Sequence, residues 1–360
     1  MPRETMRNMK GRCIIVAASI ESAGGNWMDI RRSQVICLFI DNYHDLRKHL
    51  RLGAYSKALR LSSLILSLKG IRIEIEEFRK SLDYIKRHTQ WYSPFRSCMA
   101  PAAAFAITPE KTFYKAFNRL AFCCKALKIA GFRASSRLVP ASMALYAASA
   151  EGSERLLASR SYSVYKSMKR WHTARTGKEL FAPAVFMACS ELWGKEIISH
   201  VARVSRRLHI RDASQARGLH FLYQILAYGA DPLEETAVRC AEIFPILEKM
   251  NFRSPSLFYG TMGFLALSDH DSNRAVLDAM DTMSLLKLGK SFPGFEKEQA
   301  MLTASAIVAA NRLQLMAEPS QSASISPVVS DPASSTFSVI RAQAASIPSI
   351  ISALASACLL

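Results

Sequence analysis

Clusters of lysine and arginine are the residues whose types and spacing point most directly to a chemistry, the binding of phosphate groups. Spacings of three and four place such side chains on one face of a helix, where each phosphate contact releases bound counterions. Tyr162, Tyr165 and Trp171 interleave with one cluster, where they could stack on bases or pack in the core. A basic face that only contacts water is the alternative. The clustered side chains are Lys125, Lys128, Arg133, Arg137, Lys166, Lys169, Arg170, Arg203, Arg206 and Arg207.

Motifs for catalysis, metals and nucleotides are missing from the sequence. The eight histidines form no H-E-x-x-H pair, and the eight cysteines form no C-x-x-C pair. Neither G-x-S-x-G nor a glycine-rich phosphate loop occurs. We therefore predict no catalytic, cofactor-binding or metal-binding residues, and we expect buried free thiols in a reducing compartment. An enzyme whose site combines residues distant in the sequence stays an open alternative.

Composition and charge describe a globular chain with a basic N-terminal part. The chain has 360 residues, half of them hydrophobic, with 47 lysines and arginines against 29 acidic residues and a net charge of +18. Residues 1–230 hold 38 basic and 16 acidic residues, whereas residues 231–360 hold 9 and 13. Modest glycine and proline contents exclude collagen-like and wholly disordered classes. We expect a strong positive field at one end of the fold.

The elements that must position these side chains recur with a period of about 40 residues. Short segments rich in alanine and leucine return at intervals of 39, 42, 40, 40, 39 and 41 residues. This period predicts an all-α fold of stacked helical hairpins, an α-solenoid-like array; a compact helical domain is the alternative. The segments centre on Leu66, Phe105, Ala147, Met187, Ala227, Ala266 and Ile307.

One unit shows the local signals of a helix clearly. Thr108 and Pro109 predict a helix start, because threonine caps free N–H groups and proline suits the first helical position. Gly131 predicts its end. An apolar stripe at helical spacing lies between them, formed by Phe113, Phe117, Leu120, Cys124 and Leu127.

Three regions follow from these patterns. Residues 1–40 form an N-terminal extension, either disordered or the result of a misassigned start, although SQVICLFI (33–40) favours the beginning of a helix. Residues 41–316 form the helical-repeat domain. Residues 317–360, with 12 serines and 4 prolines, form a low-complexity tail that could end in a short helix docked on the array. Insertion of this tail in a membrane is an alternative, and no other membrane-spanning segment is predicted.

Several stretches resemble a known family, in order along the chain. The resemblance covers roughly residues 41–317 plus the tail, and it is one of layout and local patterns. These stretches are DNYHDLRKHL (41–50), HTQWYSPFRSCMAPAAAFAIT (88–108), YKAFNRLAFCCKALKIAGFRASSRLVPASMALYAAS (114–149), LHFLYQILAYGADPLEETAVRCAEIFPILEKMNF (219–252) and IRAQAASIPSIISALA (340–355). The sequence resembles the uncharacterised bacterial domain-of-unknown-function family four-thousand-and-three. This resemblance implies a bacterial, cytoplasmic helical protein and supplies no catalytic residues.

The leading functional prediction is a non-enzymatic helical-repeat module that binds a protein or peptide along an elongated face. The first alternative is nucleic-acid binding through the basic region 101–217, and the second is the enzyme mentioned above. A salt titration separates the first two, because binding to phosphates weakens steeply with salt.

Overall fold

The computed structural model describes residues 27–50, 56–109, 111–171, 177–189, 206, 218–226, 233–268, 271–288, 295–317 and 347–359. These residues form helices and no strand, so the prediction of an all-α fold is confirmed. The first seven helices are α1 (Trp27–His49), α2 (Ser56–Leu68), α3 (Ile75–His88), α4 (Met99–Ala106), α5 (Phe113–Ala130), α6 (Leu138–Ala148) and α7 (Glu154–Trp171). The next seven are α8 (Phe181–Cys189), α9 (Leu219–Leu226), α10 (Leu233–Glu248), α11 (Pro255–Ser268), α12 (Ser272–Leu288), α13 (Lys297–Ala317) and α14 (Ile347–Leu359).

Two kinds of helix alternate along most of the chain. Helices such as α4, α6 and α11 are apolar on every side and almost fully buried, so they form an inner layer. Helices such as α3, α5 and α7 bury one face and expose a charged one, so they form an outer layer. Buried serines fit the inner helices because their hydroxyls donate to carbonyls within the same helix, as Ser63 does to Leu59 (2.8 Å).

The helix predicted after Thr108 has the expected stripe and end but begins later. Phe117, Leu120 and Leu127 are buried on its inner face. Gly131 ends α5 in the left-handed conformation (φ 116°), and its N–H donates to carbonyls of the last turn. The predicted start is wrong: α5 begins at Phe113, and the Thr108 hydroxyl instead accepts the Lys111 N–H (3.1 Å) in the preceding turn.

The first described helix contains residues that the sequence prediction assigned to an N-terminal extension. Helix α1 begins at Trp27, and Ile36 and Phe39 are fully buried within it. The apolar segment 33–40 therefore lies within a helix, as the sequence favours, and it contributes to the core. Residues 1–26 lie outside the described part of the chain.

The C-terminal helix α14 occupies the centre of the inner layer. It contacts α2, α6, α8, α9, α11 and α13. Every side chain from Ile350 to Cys358 is buried. Its two central serines are satisfied within the helix, since Ser352 donates to Pro348 O (2.5 Å) and Ser356 to Ser352 O (2.6 Å).

Helices near the two ends of the described chain are in contact. Helix α13 packs against α1 and α2, and α12 packs against α1. Arg32 pairs with Asp278 (2.9 Å), and Arg60 donates to Gln299 (2.9 Å) across this junction. An open stack does not bring its ends together in this way, so the solenoid-like arrangement is not confirmed.

Candidate functional site

Four outer helices run in the same direction. Along α1 and α3, Asn42 accepts the Ile73 N–H (2.8 Å), and one to two turns later Arg79 donates to His49 O (2.9 Å). Residue numbers therefore rise together on both helices, and their C-terminal ends point to the same end of the protein.

The same direction holds for the next neighbours. Tyr84 of α3 donates to Asn118 of α5 (3.2 Å). Arg119 of α5 pairs with Glu154 at the start of α7 (2.8 Å), and Phe132 beyond the end of α5 meets Tyr162 further along α7 (5.4 Å between ring centroids). The end of α3 lies beside the first turns of α5, and the end of α5 lies beside the middle of α7, so successive helix ends are staggered along this common direction.

Each of these four ends carries basic side chains. They are favoured there because the C-terminal end of a helix has a partial negative charge. All of them are exposed, as are three further cations close by. We call this set the basic rim: Arg47, Lys48, His49, Lys86, Arg87, His88, Lys125, Lys128, Arg133, Lys166, Lys169 and Arg170.

Six of the ten cations predicted from the sequence belong to this rim. None of the six forms an ion pair with a carboxylate of the described residues, so they are available to an anionic ligand. Arg133 lies close enough to Tyr165 to act on it electrostatically, which brings the first two predicted clusters together. The six are Lys125, Lys128, Arg133, Lys166, Lys169 and Arg170.

The remaining predicted cations are placed differently or not described. Arg137 is half-buried, where it lies 3.9 Å from Glu179 and donates to Ala357 O (3.5 Å) at the end of α14. Its position indicates that it holds the central helix. Arg206 is exposed, and Arg203 and Arg207 lie outside the described residues.

The aromatic residues first considered for base stacking belong largely to the core. Tyr162 and Tyr165 are half-buried around Phe132, with ring centroids 5.4 and 5.3 Å from it. A Cβ on Gly131 would approach the Tyr162 ring to 2.6 Å, so this packing requires a glycine. The side chain of Trp171 is not described.

A different aromatic pair is exposed at the rim. Trp91 and Tyr92 follow the end of α3 and are 83% and 62% exposed. Their rings meet edge to face, with centroids 5.6 Å apart. Sequence reasoning missed this pair, together with the cations at the ends of α1 and α3. The pattern in the sequence that could have indicated this region is a basic last helical turn, Lys86-Arg87-His88, followed by polar loop residues.

Charged groups in the interior join helices to one another. Burial alone would raise the pKa of Glu154, but hydrogen bonds from Arg119 and the Gly152 N–H outweigh it, and the pKa is lowered. Lys69, whose pKa burial lowers to about 7, donates to carbonyl oxygens at the end of α4, including that of Ile107 (3.1 Å). Glu154 and Lys69 therefore hydrogen-bond to neighbouring segments of the protein, which accounts for these charged groups by the packing of the helices.

Free thiols and possible metal ligands complete the description. Six cysteines within the described residues form no disulfide and are buried, and burial raises the pKa of Cys123 and of Cys240 to about 12. No three His, Cys, Asp or Glu side chains converge as a metal site in the part of the chain that is described. Across the same residues, no helix has both the length and the apolar character needed to cross a bilayer.

These observations define an all-α protein whose inner helices surround a central C-terminal helix and whose outer helices end in a basic rim. The family model described as a protein of unknown function, DUF4003, matches residues 42–345. The chain belongs to this family, which confirms the resemblance seen in the sequence. No curated protein matches the chain, and no solved structure does so either.

Proposed function

We propose that this chain is a non-enzymatic helical interaction module whose basic rim binds a nucleic acid. The observation that carries the proposal is the exposure of the six rim cations from Lys125 to Arg170, none of which pairs with a carboxylate of the described residues. Helices that pack directly lie about 8–10 Å apart, and the ends of these four are also staggered along their axes, so the rim forms an extended row of cations. A chain of phosphates is a ligand that can meet cations over such a length.

The repeat architecture is part of the proposal. Helix pairs of about 40 residues would each contribute one inner helix and one outer helix, so that the basic outer ends recur around the rim. It is supported by the positions of six segment centres within buried inner helices: Leu66 in α2, Phe105 in α4, Ala147 in α6, Met187 in α8, Ala266 in α11 and Ile307 in α13. Ala227 lies outside the described residues.

The second candidate is the protein or peptide partner that the sequence favours. An acidic peptide would use the same cations, because carboxylates and phosphates both accept from lysine and arginine. A cytoplasmic location suits either partner and is supported by the buried free thiols, which persist in a reducing compartment.

A charge-reversal experiment tests the proposal. The double variant Lys128→Glu/Lys169→Glu removes two rim cations, and Lys249→Glu is its matched control. Lys249 is exposed just beyond the end of α10, a helix of the acidic C-terminal part that packs on α11 and α12. Binding of single-stranded and double-stranded oligonucleotides is measured by fluorescence anisotropy between about 50 and 200 mM salt.

The proposal predicts a clear separation between the two variants. The double variant should bind less tightly and lower the slope of log K against log salt by roughly 1.4 for a single strand, about 0.7 for each lost phosphate contact. Lys249→Glu should keep the wild-type slope. Equal slopes in all three proteins would reject the basic rim as a nucleic-acid site.

A further inference from the structure

Trp91 and Tyr92 present two aromatic rings to solvent at the end of α3. A tryptophan that is 83% exposed has most of both ring faces uncovered, whereas most tryptophans are largely buried. The two rings contact each other, so they form one apolar step at the surface. Packing in the core does not explain these two exposed rings, so contact with a ligand is the alternative to consider.

The segment that carries these rings is fixed by hydrogen bonds on both sides. Arg96 donates to Lys86 O (2.5 Å) and Thr89 O (2.8 Å), which ties the segment to the last turn of α3. The Ser93 N–H donates to Gln90 O (2.9 Å), closing a turn around the two rings. The backbone of residues 89–93 is thereby held against its own helix.

The residues that follow anchor the same segment in the core. Pro94, Phe95 and Cys98 are buried in a short 3-10 helix, and Phe95 packs against Phe117 of α5 (5.3 Å between centroids). Trp91 and Tyr92 therefore stand on a fixed support. A ligand that covers them loses little of its binding energy to ordering the protein.

The charges beside the aromatic step decide the kind of ligand. Lys86 and Arg87 are exposed in the turn of α3 that Arg96 ties to the loop, and neither pairs with a carboxylate of the described residues. A partner must offer both negative charge and flat apolar faces. Single-stranded nucleic acid offers an unstacked base and a phosphate in every repeat unit, whereas an acidic peptide offers a flat face only where it carries an aromatic residue, and a duplex buries its base faces in the stack.

We propose that the partner is a single-stranded nucleic acid, with unpaired bases stacked on Trp91 and Tyr92 and adjacent phosphates at Lys86 and Arg87. This inference rests on the proposed function, because it uses the basic rim to hold the backbone. It adds a residue-specific stacking site to the general attraction of the rim for phosphates.

Substitution of the aromatic step tests the inference. In Trp91→Ala/Tyr92→Ala, affinity for a single-stranded homopolymer should fall by about 5- to 100-fold, the loss expected when a stacked base loses its ring. Trp91→Phe/Tyr92→Phe keeps the ring faces and should retain most of the affinity. Leu156→Ala, which truncates a 77% exposed side chain on the first turn of α7, is the matched control.

Three further ligands separate this inference from the proposed function. An abasic strand, a blunt duplex and polyglutamate are titrated in parallel with the homopolymer. The Ala double variant should bind the abasic strand as the wild type does, because that ligand cannot stack. Lys128→Glu/Lys169→Glu should weaken binding of both strands.

Each result supports or overturns one of the two ideas. Unchanged homopolymer binding by the Ala double variant, with binding still weakened by the rim charge reversal, would overturn the stacking site alone. Polyglutamate or duplex binding tighter than the homopolymer would also overturn it. If Lys128→Glu/Lys169→Glu bound the strands as tightly as the wild type does, the proposed function would be overturned.

Discussion

Replacement of Gly260 by alanine tests whether α14 is seated against α11. A Cβ at this position would lie 2.8 Å from the Cys358 Sγ and 3.0 Å from the Leu302 Cδ1, closer than the 3.5–4.0 Å at which carbon atoms attract. In an open helix the same substitution stabilises by about 1 kcal/mol, because alanine has the higher helix propensity. The structure therefore predicts the opposite sign.

The magnitude follows from two opposing contributions. Overpacking of a core costs about 1–3 kcal/mol. Subtraction of the gain of about 1 kcal/mol in helix propensity leaves a net loss of up to about 2 kcal/mol for Gly260→Ala. Removal of the sulfur by Cys358→Ala should relieve most of the clash, so the substitution should become neutral or stabilising in that background. The expected coupling between the two sites is about 1–2 kcal/mol.

Urea denaturation followed by circular dichroism measures this coupling as a double-mutant cycle. Gly263→Ala is the matched control, because it lies one turn away on the same helix but its Cβ would meet Ile225 of α9 at 3.0 Å. Its effect should be the same with and without Cys358. If Gly260→Ala had the same free energy in both backgrounds, the placement of α14 against α11 would be wrong.

Three other changes test the core and its charges by the same denaturation assay. Leu354→Ala, in the fully buried centre of α14, should cost about 2–5 kcal/mol, whereas Leu156→Ala should stay within about 0.5 kcal/mol; equal effects would contradict the burial of α14. The thiols of Cys123 and Cys240 keep their protons to about pH 12 in the folded protein but lose them above about pH 8.5 in the unfolded chain. The free energy of unfolding should therefore fall by about 1.4 kcal/mol per pH unit per thiol between these two pH values. Replacement of the two cysteines by alanine should flatten this decline, and an unchanged slope would refute the assignment. The pKa of Glu154 is lower in the folded protein than in the unfolded chain, where it is near 4.3, so the ionised carboxylate stabilises the fold above that pH and this stabilisation is lost as the pH falls further. Glu154→Gln should therefore lower the free energy of unfolding at pH 7 and lower it less at pH 3. An equal cost at both pH values would contradict this.

Local patterns in the sequence were sufficient to predict the buried face and the C-terminal end of α5. The stripe from Phe113 to Leu127 became the buried face of α5, because apolar residues at helical spacing can be buried together only on one side. Gly131 marked the end of that helix correctly, since a glycine tolerates the left-handed conformation. Thr108 was wrongly predicted to start this helix, because a threonine caps a turn as readily as a helix.

The candidate site could be predicted only in part. Spacings of three and four correctly indicated that Lys125 and Lys128 share an exposed helix face. The same reasoning gave no means to separate these residues from Arg137, whose partners Glu179 and Ala357 lie far away in the sequence. Exposure of Trp91 likewise depends on which neighbours cover it, and no local pattern encodes those neighbours.

The sequence by itself determined the all-α class, the family and the basic character of the N-terminal part, because periodicity, composition and charge are properties of short segments. The tertiary structure alone decided that α14 fills the centre, that Arg32 and Asp278 join the two ends of the fold, and that α3, α5 and α7 point their basic ends in one direction. These arrangements depend on contacts between residues that lie 34 positions (Tyr84 and Asn118) to 246 positions (Arg32 and Asp278) apart, and such contacts are selected by the packing of whole helices.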